Sequence, residues 1–194
     1  MREFILRARH AKTNSDINFN ELPREGKLDS VCATIASALF VSGDVRRDTT
    51  IHAVLEGPSN APKTITFTGA EIRGLRHDER SIASYIAAAL QKGAFLQLNE
   101  EAHVRTGIRV AKKSFERLVY ERAQKYKQVL LLDVNGKDLR SVALEKDFLV
   151  VMGGAEGLPP KTERTLVAQK ISLGPKMLFA AHCPVIVHNE ADRR

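Results

Sequence analysis

The sequence has few of the residues that mark several common protein classes. Its 194 residues include no tryptophan and only two cysteines, Cys32 and Cys183. Neither cysteine belongs to a Cys-x-x-Cys pair, which excludes the usual structural zinc sites and indicates a reduced environment. No apolar run approaches the ~20 residues of a membrane span, and the N-terminal MREFILRARH lacks the apolar core of a signal peptide. We therefore expect a cytoplasmic protein that makes no membrane contact.

Two nucleotide-binding motifs and a metal-binding spacing are also missing. The segment GGAEG at 153–157 is not the G-x-G-x-x-G dinucleotide motif, and no G-x-x-x-x-G-K-[ST] phosphate loop occurs. NAD and ATP are therefore disfavoured as ligands. The six histidines show no metal spacing, and His182 and His188 depart from the i, i+4 pair of helical zinc ligands. We predict no metal.

Acidic residues are outnumbered by basic ones, which predicts a polyanionic partner. There are 23 acidic and 30 basic residues, and the net charge is +7. This balance favours nucleic acid, while sparse aromatic residues give no visible platform for base stacking. Several arginines could instead face solvent or pair with Asp44, Asp48 and Glu79. The arginines that we assign to contact with this nucleic acid are Arg9, Arg46, Arg47 and Arg76.

Apolar periodicity predicts helices that alternate with strands. Helices are expected over Leu28–Val41, Ser81–Leu90 and Lys112–Tyr126. Strands are expected over 4–6, 51–55, 63–68, 128–132 and 148–152, with a hairpin between the second and third. We expect 10–27 to form a loop and leave the polar stretch 97–107 undefined. The tail after Lys176 is predicted to be a helix that Pro184 bends or that begins late. This order predicts an α/β fold with a mostly parallel sheet flanked by helices.

Three apolar segments near the C-terminus each end in a glycine-bearing loop. They are LLLDVNG at 130–136, FLVVMGGAEGLPP at 148–160 and KISLGPKML at 170–178. The glycines could simply permit turns, or they could let a ligand approach the backbone. Three such edges within about fifty residues favour one composite pocket for a small molecule.

These loops, in this order, resemble those of the SPOUT class of S-adenosylmethionine-dependent RNA methyltransferases. The segments MREFILRARHAKTNSDINFNELP, ALFVSGDVRRDT, ISLGPKML and HCPVIVHNEADRR are similar to the archaeal tRNA pseudouridine(54) N1-methyltransferases, and the resemblance covers the whole chain. It implies one domain over 1–194, a deep C-terminal trefoil knot over about 120–194, a homodimer, and the T-loop of tRNA as substrate. The residues that it assigns to S-adenosylmethionine are Leu132, Gly153, Gly154, Gly157, Leu173, Gly174, Leu178 and Cys183.

Methylation at N1 of pseudouridine requires that the N1 proton leave as the methyl group arrives. Asp78, within GLRHDER at 74–80, is our candidate for accepting that proton or orienting the base. It could equally be the N-terminal cap of the helix predicted over Ser81–Leu90. Two other functions stay open. One is methylation of pseudouridine in small-subunit rRNA, and the other is a non-catalytic RNA-binding role in ribosome assembly.

Overall fold

The central sheet joins strands from both ends of the chain. The computed structural model describes residues 1–154 and 157–194, and within them ten strands form an eight-stranded sheet and a two-stranded ribbon. In chain order the strands are β1 (Arg2–Ala8), β2 (Phe40–Val41), β3 (Asp44–Val45), β4 (Thr49–Leu55), β5 (Lys63–Thr68), β6 (Glu101–Arg105), β7 (Ile108–Ala111), β8 (Val129–Asp138), β9 (Phe148–Gly153) and β10 (Gln169–Ser172). The sheet order is β10-β8-β9-β1-β4-β5-β7-β6, and β2 pairs with β3. The five strands from β10 to β4 are parallel, and the last three are antiparallel.

Helices cover both faces of the sheet. They are α1 (Leu28–Leu39), α2 (Glu79–Lys92), α3 (Phe115–Ala123), α4 (Pro160–Thr165) and α5 (Cys183–Asp192). Alternate residues of β1 enter two separate cores. Phe4 and Leu6 join the core that α1, α2 and α5 contribute to, whereas Ile5 packs with Phe115 of α3 on the opposite face. A central parallel strand buried on both faces explains the nearly continuous apolar run in β1.

Most predicted elements are present, with bounds that shift by a few residues. The helix expected over Leu28–Val41 ends at Leu39, and the predicted hairpin is the antiparallel pair β4 and β5. The tail helix begins late, at Cys183, and Pro184 lies in its first turn. Proline is tolerated there because the first N–H groups of a helix have no intrahelical acceptor. The helix expected from Lys112 begins at Phe115 because Ser114 caps it, accepting a hydrogen bond from Arg117 N at 3.2 Å.

The polar stretch 97–107 is the main correction to the predicted elements. It contains β6, which forms a hairpin with β7 through a turn at Gly107, where φ is +77°. Strand β6 lies at the edge of the sheet, and its residues alternate between exposed and half-buried positions. Its pattern is weak because an edge strand with one wet face needs few apolar residues. The short helix α4 was also not predicted.

Strand β8 leaves the sheet for five residues in its middle. Leu131 pairs with Lys170 of β10, and the next residue of β10, Ile171, pairs with Lys137. Residues 132–136 therefore form an excursion between two paired segments. This excursion carries the predicted loop LDVNG away from the sheet and beside the ends of β9 and β10. No helix in the described part of the chain is both long and apolar enough to cross a membrane.

Candidate active site

The three glycine-bearing loops meet in one cavity, which we call the loop cavity. It is formed by the excursion of β8, the end of β9 and the segment after β10. These strands are parallel, so their carboxyl ends lie at the same edge of the sheet, where α/β proteins hold ligands. All eight residues assigned to the cofactor by resemblance line this cavity: Leu132, Gly153, Gly154, Gly157, Leu173, Gly174, Leu178 and Cys183. Ala155 and Glu156 of the GGAEG motif lie outside the described residues.

The loop glycines leave space where other residues would place a side chain. Gly157 and Gly174 have φ of +66° and +148°, and a Cβ added to either would have no heavy atom within 4 Å. The backbone itself is held in place, because Gly154 N donates to Arg7 O at 3.0 Å and Gly157 N donates to Gly154 O at 2.9 Å. Open space beside an ordered glycine backbone fits a ligand recognised by main-chain groups.

Two carboxylates line the loop cavity and share one lysine. Lys170 Nζ lies 2.6 Å from Asp133 Oδ2 and 3.1 Å from Glu163 Oε2. The hydrogen bond from Lys170 lowers the pKa of Asp133, and Asp133 in turn raises the pKa of Lys170. Asp133 is therefore an ionised acceptor at neutral pH. Neither residue was predicted as a site residue, although an acidic residue directly after the apolar run Leu130–Leu132 was a usable signal for Asp133.

Cys183 faces the loop cavity as a neutral thiol. Its side chain is buried, and Sγ lies 3.5 Å from the carbonyl oxygen of Phe179. Burial raises the pKa of Cys183 to about 11. A thiol that stays protonated at neutral pH is a poor nucleophile, so this position suits packing against a ligand.

Asp78 lies at the start of α2 and caps that helix. Its Oδ1 accepts a hydrogen bond from Ser81 N at 2.9 Å, and Arg76 Nε lies 3.1 Å from Oδ2 in an ion pair that is not aligned as a hydrogen bond. The bond from Ser81 N, together with the charge of Arg76, lowers the pKa of Asp78. Asp78 is not among the described residues that line the loop cavity. Its structural role as a cap is confirmed, whereas its catalytic role stays a prediction.

Arg46 is held by the C-terminal helix. Its guanidinium makes two hydrogen bonds to Asp192, at 3.2 and 2.7 Å, and Asp192 also pairs with Arg2. Hydrogen bonds from Arg46 and Arg2 lower the pKa of Asp192 to about 2. This cluster joins β1, the segment before β4, and α5. We expected Arg46 to pair, if at all, with an acidic residue nearby in sequence, so its partner in α5 was not predicted.

The other arginines assigned to RNA differ in exposure. Arg47 donates to the carbonyl oxygens of Gly69 and Ile72 at 3.1 and 3.2 Å, and lies 3.4 Å from Asp44. The Arg76 side chain is 81% exposed, and Arg9 is also exposed. Arg9 follows β1 and borders a second cavity beside the loop cavity. The RNA contacts of all four arginines stay predictions.

The most enclosed acidic group lies elsewhere. Glu3 of β1 is 1% exposed, and its carboxylate contacts His52 Nε2 at 3.0 Å, the Tyr126 hydroxyl at 2.8 Å and the Arg122 guanidinium. Burial by itself would raise the pKa of Glu3, but the hydrogen bonds from His52 and Arg122 outweigh it and hold the pKa at about 2. We call these four residues the Glu3 cluster.

Metal-binding geometry does not occur in the described part of the chain. No group of three or more histidine, cysteine, aspartate or glutamate side chains is placed to hold an ion among residues 1–154 and 157–194.

Comparison with known proteins assigns a family to this arrangement. The family model for S-adenosylmethionine-dependent RNA methyltransferases matches residues 1–194. The chain belongs to this RNA methyltransferase family. As a member, the protein is an S-adenosylmethionine-dependent methyltransferase, and the cofactor predicted by resemblance is confirmed.

Relatives within this RNA methyltransferase family match the chain along its whole length. The chain is 40% identical over 199 residues to the tRNA (pseudouridine(54)-N(1))-methyltransferase of Methanococcus maripaludis strain C7, covering 100% of this chain and 99% of that protein. It is 39% identical over 203 residues to the protein of the same name from Methanocaldococcus jannaschii, covering 100% and 98%.

A solved structure supports the fold. The crystal structure of Archaeoglobus fulgidus Nep1 bound to S-adenosylhomocysteine matches with a TM-score of 0.59 at 14% identity, covering 98% of this chain and 96% of that one. At this low sequence identity, the match supports only the fold. The predicted α/β fold is confirmed, and the trefoil knot stays a prediction.

Proposed function

We propose that this protein transfers a methyl group from S-adenosylmethionine to N1 of pseudouridine at position 54 in the T-loop of tRNA. One observation carries the proposal. The three C-terminal loops meet in a single cavity, in a chain about two-fifths identical over its full length to proteins named for this reaction. The product would be N1-methylpseudouridine.

The loop cavity offers suitable groups for each part of the cofactor. The open space beside Gly157 and Gly174 suits the planar, neutral adenine, and the leucine side chains suit its apolar faces. Asp133 and Glu163 are acceptors for ribose hydroxyls or for an ammonium group. When bound, S-adenosylmethionine supplies a methyl group already activated by its sulfonium charge. The protein therefore needs to position the acceptor more than to activate a nucleophile.

Asp78 is our candidate for the residue that handles the N1 proton. Its lowered pKa keeps the carboxylate ionised at neutral pH, so it can accept a hydrogen bond from N1–H. The same lowered pKa makes it a weak base, so its main contribution would be to orient the base. Because Asp78 does not line the loop cavity of its own chain, we propose that a partner subunit brings it there.

A homodimer is supported by apolar side chains that lie exposed beside the loop cavity. Met177, Phe179 and Val185 are 72%, 74% and 53% exposed. Large apolar side chains gathered at one place mark an interaction surface. We propose that this surface packs against a second copy of the chain, and that Arg9, Arg46, Arg47 and Arg76 serve the tRNA backbone. Arg46 and Arg47 would have to exchange their present partners to do so.

Three further expectations belong to the same proposal. Residues 1–194 form one domain, which is supported by a sheet that contains strands from both ends of the chain. Residues from about 120 to 194 form the cofactor-binding knot. The protein acts in the cytoplasm, where its tRNA substrate would be available.

A methylation assay tests the proposal. Purified protein and labelled S-adenosylmethionine are mixed with a T-loop stem-loop RNA that carries uridine or pseudouridine at position 54. We expect label only in the pseudouridine RNA, since N1 of uridine is bonded to ribose. Label in a small-subunit rRNA fragment alone would favour the rRNA alternative. An absence of both label and donor binding would favour a non-catalytic RNA-binding role.

A further inference from the structure

Three charged residues line the loop cavity in the described part of the chain: Asp133, Glu163 and Lys176. The other described residues that line it are glycines, apolar residues and Cys183. S-adenosylmethionine is divided in the same way, because its adenine is neutral and its amino-acid end carries both an α-ammonium and a carboxylate. The three charged residues therefore indicate where the amino-acid end of the donor is held.

The two carboxylates together leave one negative charge available to a ligand. Both contact Lys170 Nζ, at 2.6 Å from Asp133 and 3.1 Å from Glu163, and a single ammonium group can balance the charge of only one of them. Asp133 is the more enclosed of the two, with its side chain 15% exposed against 28% for Glu163. A partly enclosed carboxylate favours a cationic ligand group, because the attraction offsets the loss of hydration.

The Asp133 carboxylate is fixed in place and can still accept hydrogen bonds. Its Oδ1 accepts from Asn135 N at 2.9 Å, and its Oδ2 accepts from Lys170 Nζ. A carboxylate has about four acceptor positions, so these two bonds leave others open to a ligand. Asp133 can therefore accept from an ammonium group while it keeps its present partners.

Lys176 supplies the opposite charge from an anchored segment. Its side chain is exposed, and it forms no ion pair with any residue that the structure describes. Before it in the chain, Gly174 N donates to Ser172 Oγ at 3.2 Å, and Ser172 Oγ donates to Gly174 O at 2.7 Å. Leu173 and Leu178 pack against the main core on either side of Lys176. An anchored backbone lowers the cost of presenting this charge to an anionic ligand group.

We propose that the loop cavity holds the amino-acid end of S-adenosylmethionine between Lys176 and Asp133, with the carboxylate of the donor at Lys176 and its α-ammonium at Asp133. The proposal rests on the proposed function, because it takes the loop cavity as the donor site of that reaction. Lys176 and Asp133 are then specificity-determining residues, which select a donor that carries both charges. An analogue that lacks one charge loses the matching contact.

Analogues that lack one charge test the two contacts separately by calorimetric titration. S-adenosylhomocysteine carries both charges, its decarboxylated analogue lacks the carboxylate, and its deaminated analogue lacks the ammonium. Lys176→Met should raise the Kd for S-adenosylhomocysteine about tenfold and leave the Kd for the decarboxylated analogue within about twofold of wild type. Asp133→Asn should raise the Kd for S-adenosylhomocysteine about tenfold and leave the Kd for the deaminated analogue within about twofold.

Two further substitutions at Lys176 distinguish recognition of charge from support of the loop. Lys176→Arg keeps the charge, and it should bind S-adenosylhomocysteine within about threefold of wild type. Lys176→Glu should bind the decarboxylated analogue more tightly than S-adenosylhomocysteine, because an acidic side chain attracts the remaining ammonium and repels a carboxylate. If Lys176→Met raises the Kd for all three ligands by the same factor, position 176 only supports the loop, and the proposal is overturned.

Lys137→Met and Asp138→Asn are the matched controls. Both residues are exposed on β8, and neither is among the described residues that line the loop cavity. Each control should keep the Kd for every ligand within about twofold of wild type, since an exposed charge outside a site contributes little. Equal losses in a control and in the corresponding cavity variant would also overturn the proposal, because a general change of surface charge would then explain both.

The methylation assay separates failure of this proposal from failure of the proposed function. If wild type methylates the pseudouridine RNA but Lys176→Met and Asp133→Asn bind all three ligands as wild type does, the charged contacts are wrong and the function stands. If the variants discriminate among the ligands as expected but no RNA is methylated, the proposed function is wrong and the contacts stand. If wild type neither binds S-adenosylhomocysteine nor methylates the RNA, both are overturned.

Discussion

The loop cavity and the Glu3 cluster both contain carboxylates, but they are built from different parts of the chain. In the loop cavity, glycine backbone and leucine side chains leave open space. In the Glu3 cluster, three side chains from β4, α3 and the segment just after α3 close around the Glu3 carboxylate of β1 and leave no open space. The carboxylate whose pKa is held at about 2 is therefore in the closed region.

A strongly shifted pKa does not by itself locate the active site of this protein. Strongly shifted pKa values often mark functional groups, yet structural ion pairs produce them as well. Glu3 has its acceptor positions filled by His52, Arg122 and Tyr126, and it is 1% exposed. A ligand could reach it only by displacing one of these partners. We therefore interpret the Glu3 cluster as a stabilising device and the loop cavity as the reactive site.

The largest expected effect comes from opening the Glu3 cluster. Glu3→Gln leaves Arg122 without its counter-ion, and we expect the free energy of unfolding to fall by about 3 kcal/mol. Urea denaturation measures this loss. S-adenosylmethionine affinity of the folded variant should stay within about twofold of wild type. Glu101→Gln, which breaks an exposed pair with Arg109, is the control and should cost less than about 0.5 kcal/mol. If both variants lose the same free energy of unfolding, the Glu3 cluster stabilises the fold no more than an exposed ion pair does.

The pH dependence of stability sharpens the same comparison. The pKa of Glu3 is about 2 in the folded protein and 4.5 in its unperturbed state. A lowered pKa contributes stability that is fully present above pH 4.5 and is lost as the pH falls towards 2. The wild type should therefore lose about 3 kcal/mol more than Glu3→Gln across this window. Subtracting the two curves removes the contribution of Asp192, whose pKa is also about 2.

Filling the loop cavity should weaken donor binding strongly while changing the free energy of unfolding only slightly. A Cβ on Gly154 would lie 3.3 Å from Arg7 O, so Gly154→Val adds bulk at the wall and requires a shift of a few tenths of an ångström there. We expect the Kd for S-adenosylmethionine to rise at least about 100-fold, with a small change in unfolding free energy. Calorimetric titration and urea denaturation measure the two quantities, and Gly154→Ala should give an intermediate Kd. Unchanged donor binding would show that the cavity is not the donor site.

Asp78 caps α2 and is our proposed acceptor of the N1 hydrogen bond, and two substitutions can separate the two roles. Asparagine is as good a helix cap as aspartate, whereas alanine is not. Asp78→Asn should therefore keep the urea midpoint of wild type, and Asp78→Ala should lower it. We expect kcat to fall about 50-fold in both, less than a strong general base contributes because the pKa of Asp78 is lowered. If Asp78→Asn keeps the kcat of wild type, Asp78 serves only as the helix cap.

A smaller effect is expected at the acidic wall of the loop cavity. Asp133→Asn removes a charged acceptor beside the donor, and we expect the Kd for S-adenosylmethionine to rise about tenfold. Asp138→Asn is the matched control on the same strand, because Asp138 lies outside the cavity. Calorimetric titration of both variants should give a higher Kd for Asp133→Asn than for Asp138→Asn. If they agree, Asp133 serves only to pair with Lys170.

The loop cavity could be predicted from the sequence better than the ion-pair partners of the charged residues. Buried strands such as Phe148–Gly153 are visible as apolar runs, and the glycines that end them are visible as well. The pairs Lys170–Asp133 and Arg46–Asp192 join residues 37 and 146 positions apart, and no local pattern encodes such contacts. Strand β6 was missed because an edge strand has few apolar residues. The RTG turn before Ile108 was a signal that we did not use.

The excursion of β8 separates one wall of the loop cavity from the strand pairing on either side. Leu131 pairs with Lys170, and pairing resumes at Lys137 opposite Ile171. Gly136, at the end of the excursion, is fixed by close packing, because a Cβ there would lie 2.5 Å from the backbone of Ile171. Residues 132–134, which line the cavity, are therefore the part of β8 where we expect sequence changes to alter the cavity with the least effect on the sheet.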